Sequence, residues 1–156
     1  MGRIANLVRQ KFELVAVPRS IAAAGGIFYA LDTKKVLLAK RAVDVGLKEE
    51  GTWSGWGGKT DEGETSEDTV RREADEECGY KGPMTLKLVY TFKGVIKGTS
   101  DHIKYDNYLI IVPREFEPEL NWENDDYLWT SIDDKLPSPL HSAFAAALSH
   151  YKQSIP

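Results

Sequence analysis

The stretch that decides the fold runs from residue 57 to residue 80 and reads GGKTDEGETSEDTVRREADEECGY. Its second half has the spacing of an amphipathic helix, which we predict over residues 65–78, and a glycine follows directly as a helix end. On that helix Glu73, Glu76 and Glu77 lie on one face, since residues three and four apart are neighbours. Three carboxylates are therefore expected to converge on one side of the helix.

An apolar stripe of Val70, Ala74 and Cys78 runs beside this acidic face, and we expect it to pack on a sheet. Placing carboxylates close together costs free energy, because like charges at these spacings repel each other. A solvated acidic helix face is the ordinary explanation of such a charge run. The other explanation is a site for a hard divalent cation such as Mg²⁺, which prefers oxygen ligands.

Apolar alternation on both sides of this segment predicts strands and a second helix. The expected strands cover residues 21–31, 36–42, 86–98, 102–113 and 127–132, and the expected helix covers 142–153. Between them, residues 42–51 form a charged loop, and residues 52–59, TWSGWGGK, form an aromatic and glycine-rich passage. Strands interleaved with two helices predict a mixed α/β domain.

The spacing of the central segment favours the metal site over the solvated face. It follows the pattern G-x5-E-x7-R-E-x2-E-E-x-G, whose fixed positions are Gly58, Glu64, Arg72, Glu73, Glu76, Glu77 and Gly79. This pattern is the signature of the Nudix hydrolases, and the chain resembles that family. The resemblance implies the Nudix α/β/α sandwich with a mixed central sheet, as a single domain over residues 1–156.

By this resemblance, the backbone carbonyl near Gly57 and the side chains of Glu73, Glu76 and Glu77 would bind Mg²⁺, with Mn²⁺ as a substitute. Nudix enzymes hydrolyse a diphosphate that is linked to another group, usually a nucleoside. The charge of the chain agrees with a metal, because an acidic protein approaches a pyrophosphate only through a bridging cation. The three glutamates are therefore expected to be catalytic.

Other positions of the motif are expected to support the site without reacting. Arg72 could hold one carboxylate by a bidentate pair, and it would orient Glu73. Glu64 would support the junction between the loop and the helix through Arg72 or a backbone N–H. Gly58 would let the backbone approach metal or phosphate closely, and Gly79 would end the helix.

The segment LNWENDDYLW adds Glu123, Asp125 and Asp126 just before a predicted strand. In the family, the proton of the attacking water goes to a helix glutamate or to a carboxylate of a later loop. Glu123 is the first candidate of the three for this catalytic role, and an ordinary acidic surface loop is the alternative.

The passage before the helix also resembles that of the oxidised-purine nucleoside triphosphatase subgroup of the family. The matching positions are Trp53, Gly55, Gly57, Gly58 and Lys59, whereas Ser54 stands where that subgroup has a base-reading asparagine. The candidate substrate contacts are Lys40, Arg41, Trp53, Trp56 and Lys59. Indole rings stack on bases and cations contact phosphates, although each of these residues has core packing or an ordinary surface position as its alternative.

Together these observations predict a Mg²⁺-dependent pyrophosphohydrolase that cleaves a normal or oxidised nucleoside triphosphate to the monophosphate and pyrophosphate. The alternative is hydrolysis of a nucleoside diphosphate linked to another moiety: ADP-ribose, a sugar nucleotide or a dinucleoside polyphosphate. A nucleotide-binding module without catalysis is a third hypothesis. The complete set of helix glutamates argues against it.

The composition limits the partners and the compartment. A net charge of −4 and a pI near 5.4 argue against binding to duplex nucleic acid. The single cysteine, Cys78, excludes an internal disulfide and suits a reducing cytoplasm, and no apolar stretch reaches membrane-spanning length. We expect a small nucleotide as the binding partner and a monomer or homodimer, with residues 1–20 as an N-terminal extension available for a dimer contact.

Overall fold

The computed structural model describes residues 17–156, so most of the N-terminal extension and the dimer contact expected of it lie outside the described residues. The described elements, in chain order, are β1 (Ser20–Ala30), β2 (Val36–Arg41), β3 (Trp53–Ser54), β4 (Trp56–Lys59), α1 (Ser66–Cys78), β5 (Thr85–Val95), β6 (His102–Val112), β7 (Asn124–Thr130) and α2 (Ser142–Ser154). Neither of these helices has the length and apolar character needed to cross a membrane.

The strands of residues 17–156 form one mixed sheet in the order β3-β2-β1-β6-β5, to which β4 adds by pairing with β1 and β7 by pairing with β2. β1 and β6 run parallel, and the other pairs are antiparallel. The expected pairs β1–β2 and β5–β6 are present, as is the expected second helix. Strands β3 and β4 were not predicted, because their short, glycine-rich sequence has no clear alternation.

The two helices cover opposite faces of the sheet. On one face, the stripe of Val70, Ala74 and Cys78 packs on Phe28 and Ile110 within one buried cluster. On the other face, residues of α2 join a second cluster with alternate residues of the same strands; its members include Ile27, Leu38, Leu109, Phe144 and Tyr151. Successive strand residues point to opposite faces, so β1, β2 and β6 serve both cores. The predicted α/β fold with a mixed central sheet is confirmed.

Local sequence signals begin and end α1. Thr65 is the N-cap: its side chain accepts a hydrogen bond from the Asp68 N–H, and the Asp68 carboxylate accepts one from the Thr65 N–H. Gly79 ends the helix in the left-handed conformation, at φ 70°, where a residue with a Cβ would be strained. The helix boundaries therefore agree with the prediction to within one residue, and they position the glutamates beside β4.

Candidate active site

The guanidinium of Arg72 is the centre of the acidic cluster. Its Nε and Nη2 donate to the two carboxylate oxygens of Glu64 at 2.7 and 3.0 Å, and Nη2 also donates to the Lys59 carbonyl at 2.8 Å. Its Nη1 donates to Glu73 at 2.9 Å and to Glu76 at 3.2 Å. Arg72 thus joins the loop before the helix to two of the three helix glutamates, and its bidentate contact is with Glu64.

Glu64 accepts further hydrogen bonds from the Asp61 N–H at 2.9 Å and the Thr69 hydroxyl at 2.8 Å. The hydrogen bonds from Arg72, followed by that from Asp61, lower the pKa of Glu64 to about 2. This carboxylate is therefore ionised at any ordinary pH, and it anchors Arg72.

Glu77 is the most deeply buried of the helix glutamates, with 4 % of its surface exposed. Its Oε2 accepts a hydrogen bond from the Gly57 N–H at 2.8 Å, and it forms no ion pair with a basic residue within residues 17–156. Burial raises the pKa of Glu77 well above its ordinary value, and the carboxylates of Glu73 and Glu123 raise it further. A buried carboxylate without a cationic partner is costly unless a cation is supplied from outside.

Glu73 is also buried and lies against the backbone of β4. A Cβ at position 58 would lie 2.5 Å from the Glu73 Oε1, so only glycine fits there without moving the carboxylate. Burial raises the pKa of Glu73 against the opposing effect of Arg72, and Glu76 and Glu123 raise it further. Gly58 thus lets the Glu73 carboxylate approach the backbone of β4, while its expected approach to metal or phosphate stays a prediction.

Glu123 lies close to this cluster although it belongs to a distant loop. Its charge raises the pKa of both Glu73 and Glu77. Asn121, which the sequence analysis missed, holds this loop in place: its side-chain amide donates to the Glu76 carbonyl at 3.1 Å, and its side-chain oxygen accepts the Glu123 N–H at 3.0 Å. An asparagine two residues before a loop acid is a recognisable turn signal, so LNWEN carried a usable cue.

The other two loop acids make different contacts. The Asp125 carboxylate accepts the Val43 N–H at 3.2 Å, and the Asp126 carboxylate accepts the N–H of the next residue at 2.8 Å. Glu123, unlike these two residues, is among the main causes of the raised pKa of Glu73 and of Glu77. Of the three candidates, Glu123 is the one that the fold brings to the helix glutamates.

The donor set suits a hard divalent cation, since it consists of carboxylates beside the backbone of Gly57. Among residues 17–156, no three acidic, histidine or cysteine side chains are close enough to complete a metal site by themselves. Glu76 in particular is 55 % exposed and points to Arg72. Such an arrangement fits Mg²⁺, which keeps several waters and combines one or two carboxylates with substrate phosphates.

The structure contradicts the expectation that Trp56 contacts substrate. Its ring is 2 % exposed and packs edge-on against Phe28 at 6.1 Å, and its indole N–H donates to the Leu37 carbonyl at 3.1 Å. In β4 this position points to the face covered by α1. Trp56 is therefore a core residue.

The remaining substrate candidates belong to β2, β3 and β4. Trp53 is half-buried, and its ring packs against the α2 side of the core. Lys40 pairs with Trp53 across the β2–β3 ladder, and Arg41 ends β2 with its Nε bound to the Lys48 carbonyl at 3.0 Å. Lys59 is exposed, and its backbone carbonyl binds Arg72.

Comparisons with known protein families, sequences and structures agree with both the fold and the motif. The NUDIX domain pattern matches residues 20–150. A nucleoside triphosphatase of Escherichia coli, NudI, is 33 % identical over 114 residues, which are 69 % of this chain and 80 % of that protein. A MutT NUDIX hydrolase from Burkholderia pseudomallei is 27 % identical with a TM-score of 0.67, covering 85 % of this chain and 98 % of its own.

A further similar structure is the NUDIX domain of Shewanella oneidensis NrtR, solved with ADP ribose. Its TM-score is 0.68, with 100 % of each chain covered, and because the identity is 19 % this likeness shows the fold alone. A mixed sheet between two helices, with the arginine–glutamate cluster on one of them, defines the class of protein. The chain belongs to the Nudix hydrolase family.

Proposed function

We propose that this protein is a Mg²⁺-dependent pyrophosphohydrolase that converts a nucleoside triphosphate to the nucleoside monophosphate and pyrophosphate. The observation that carries the proposal is Glu77, a buried carboxylate beside Glu73 and Glu123 with no basic partner in residues 17–156. A divalent cation removes the electrostatic cost of this arrangement. The similarity to the E. coli nucleoside triphosphatase supports the substrate class.

Glu73, Glu76, Glu77 and the backbone carbonyl of Gly57 are the groups that would hold the metal, for which Mn²⁺ is a substitute. When bound, Mg²⁺ supplies charge neutralisation at the phosphates and lowers the pKa of water. Arg72 would keep Glu73 in its binding orientation through the 2.9 Å contact.

Glu123 is proposed to accept the proton of the attacking water. It is half-buried, it faces Glu73 and Glu77, and its backbone is held by Asn121 and by the Ala42 N–H, which donates to its carbonyl at 2.9 Å. A carboxylate held in place beside the proposed metal ligands suits a general base.

The nucleotide itself would contact Lys40, Arg41 and Lys59, whose cationic side chains suit phosphate oxygens. Trp53 is the remaining candidate for contact with the base. These assignments follow from position and charge.

A nucleoside diphosphate linked to another group is the second candidate substrate, and position 54 bears on the oxidised-purine form of the first. Ser54 is buried, and its hydroxyl donates to the adjacent Gly55 carbonyl at 3.0 Å, so it presents no amide to read a base. Strict selection of an oxidised purine is therefore not supported by this position.

Product analysis by mass spectrometry tests the proposal. The protein and Mg²⁺ are incubated with normal and oxidised nucleoside triphosphates, ADP-ribose, sugar nucleotides and dinucleoside polyphosphates, with a Glu77→Gln variant as the control. Monophosphate plus pyrophosphate from a triphosphate is the expected result. AMP plus a sugar phosphate would transfer the function to the second candidate, and no cleavage of any compound would favour a binding module.

A further inference from the structure

The loop of residues 42–52 lies between β2 and β3. It is held by the side chain of one of its own residues, Glu49, whose backbone conformation is unfavourable. Glu49 has φ 52°, in the left-handed region that costs free energy for any residue with a Cβ. Such a conformation persists only where surrounding contacts compensate for it. The contacts of the Glu49 side chain therefore indicate what holds this loop.

Those contacts are with the start of α2, 93 residues further along the chain. One carboxylate oxygen of Glu49 accepts the Ser142 N–H at 2.9 Å, and the other accepts the Ser142 hydroxyl at 2.9 Å. The Nε2 of His141 lies 2.9 Å from the second oxygen. A carboxylate at this position also binds a free N–H of the first helical turn, where negative charge is favourable.

His141 contacts both α2 and Glu49. Its Nδ1 accepts the Ala143 N–H at 3.1 Å, so the ring proton of the neutral imidazole lies on Nε2 and is donated to Glu49. The geometry thus selects one tautomer, in which every polar atom of this small cluster has a partner. Loop and helix are joined by a complete hydrogen-bond network.

The same loop fixes Arg41, which directly precedes it. The Arg41 N–H donates to the Thr52 carbonyl at 2.9 Å, and the Arg41 carbonyl accepts the Gly51 N–H at 3.0 Å. The side-chain Nε of Arg41 donates to the Lys48 carbonyl at 3.0 Å. Its two terminal nitrogens form no hydrogen bond or ion pair with residues 17–156, so they are available to an anion. The register of the β2–β7 ladder shifts between Lys40 and Arg41, where Asp125 of β7 is left without a partner in the ladder.

The loop is also tied to the candidate general base. The Ala42 N–H donates to the Glu123 carbonyl at 2.9 Å, and the Val43 N–H donates to Asp125 at 3.2 Å. A Cβ at position 57 would collide with the Tyr105 hydroxyl, so this phenol lies close to Gly57. Burial and the charges of Glu77 and Glu73 raise the pKa of Tyr105, whereas Arg41 lowers it, so one phenol lies within the field of both groups.

We propose that Glu49 is a positioning residue, which holds the 42–52 loop on α2 and thereby keeps Arg41 beside the glutamate cluster to bind an anionic group of the substrate. The inference rests on the proposed function, because that function supplies the phosphate. Glu49 itself touches no substrate, and its effect passes through the backbone of residues 48–52. The expected consequence of losing it is weaker substrate binding with the chemical step largely preserved.

The test compares Glu49→Ala and Glu49→Gln with Glu50→Gln as the matched control. Glu50 lies in the same loop, but its carboxylate binds only the Val45 N–H, at 3.1 Å, and does not touch α2. For Glu49→Ala we expect the KM for the nucleotide to rise about tenfold while kcat stays within about threefold of the wild type. Glu49→Gln should be intermediate, since its amide oxygen still accepts the Ser142 N–H.

Hydrogen exchange followed by mass spectrometry gives a readout that does not depend on activity. Peptides covering residues 42–52 should exchange faster in Glu49→Ala than in the control, with β5 and β6 unchanged. Unchanged exchange in this loop would overturn the proposal, and so would faster exchange with an unchanged KM. A wild-type protein that turns over no nucleotide would instead overturn the proposed function, and the exchange rates would still decide whether Glu49 holds the loop.

Discussion

Arg72 holds both carboxylate oxygens of Glu64, with Nε 2.7 Å from one and Nη2 3.0 Å from the other. Its third nitrogen is thereby aimed at Glu73, at 2.9 Å. Two parallel hydrogen bonds fix a planar guanidinium in orientation as well as in position. The orientation of a proposed metal ligand therefore depends on a pair of residues that are proposed to touch neither metal nor substrate.

Replacing Arg72 by lysine keeps the positive charge but removes the two parallel hydrogen bonds to Glu64. We expect kcat to fall by about tenfold to a hundredfold, because Glu73 loses its fixed direction. Steady-state kinetics at saturating Mg²⁺ measure the effect, and Arg71→Lys, at the neighbouring exposed position, is the control. Equal kcat values for the two variants would show that Arg72 acts only through its charge.

Removing the charge of Glu77 should stabilise the metal-free protein while abolishing its activity. Because the folded-state pKa is raised, the stabilising contribution of Glu77 is complete below its unfolded pKa, about 4.3, and is lost as pH rises through the folded value. At pH 8 without metal, we expect Glu77→Gln to melt about 2–4 °C above the wild type, with the difference shrinking toward pH 5. Thermal unfolding in a chelator at both pH values measures this.

Glu64→Gln serves as the opposite control in the same experiment. The pKa of Glu64 is lowered to about 2, so its contribution is present above about pH 4.3 and is lost only as pH falls toward 2. This variant should melt below the wild type at both pH 8 and pH 5. Added Mg²⁺ should raise the melting temperature of the wild type but not that of Glu77→Gln, and a rise in both would remove Glu77 from the metal site.

Glu76→Gln is expected to lose most of its turnover without a change in stability. Its side chain is 55 % exposed, so its removal leaves no buried group without a partner, whereas the proposed metal site loses a ligand. Asp75→Asn is the matched control, since that carboxylate is 49 % exposed on the same helix but outside the cluster. Near-wild-type turnover of Glu76→Gln at saturating Mg²⁺ would show that the metal does not need it.

The core position of Trp56 predicts a large effect on stability. Trp56→Ala should reduce the free energy of unfolding by about 3–5 kcal/mol, because a buried ring and its hydrogen bond are lost. Trp122, which is 62 % exposed, should change it by less than about 0.5 kcal/mol when replaced by alanine. Urea unfolding of both variants distinguishes a core tryptophan from one at the surface.

The thiol of Cys78 should be inert in the folded protein. Burial raises its pKa to about 12, so at pH 8 about one molecule in 10⁴ carries the reactive thiolate. We expect no labelling by a disulfide reagent at pH 8 within an hour, and complete labelling in guanidinium chloride. Rapid labelling without denaturant would mean that α1 separates readily from the sheet.

The sequence by itself determined α1, its caps and the face that its glutamates share. These features depend on contacts within a few residues: Thr65 with Asp68, the turn at Gly79, and the three- and four-residue spacing of the acids. The family resemblance also implied that Arg72 would orient Glu73. The paired strands β1–β2 and β5–β6 were predictable for the same reason, because their connections are short.

Tertiary structure alone decided which residues from distant segments meet these glutamates. Trp56 and Trp53 have similar local surroundings in the sequence, yet the pairing of β4 with β1 buries Trp56 in the core on the α1 side, whereas Trp53 stays half-buried on the α2 side. Asn121 brings Glu123 to α1, and Glu49 meets Ser142 across 93 residues. No local pattern encodes such contacts, because they depend on how strands and loops are brought together when the two apolar faces of the sheet are buried.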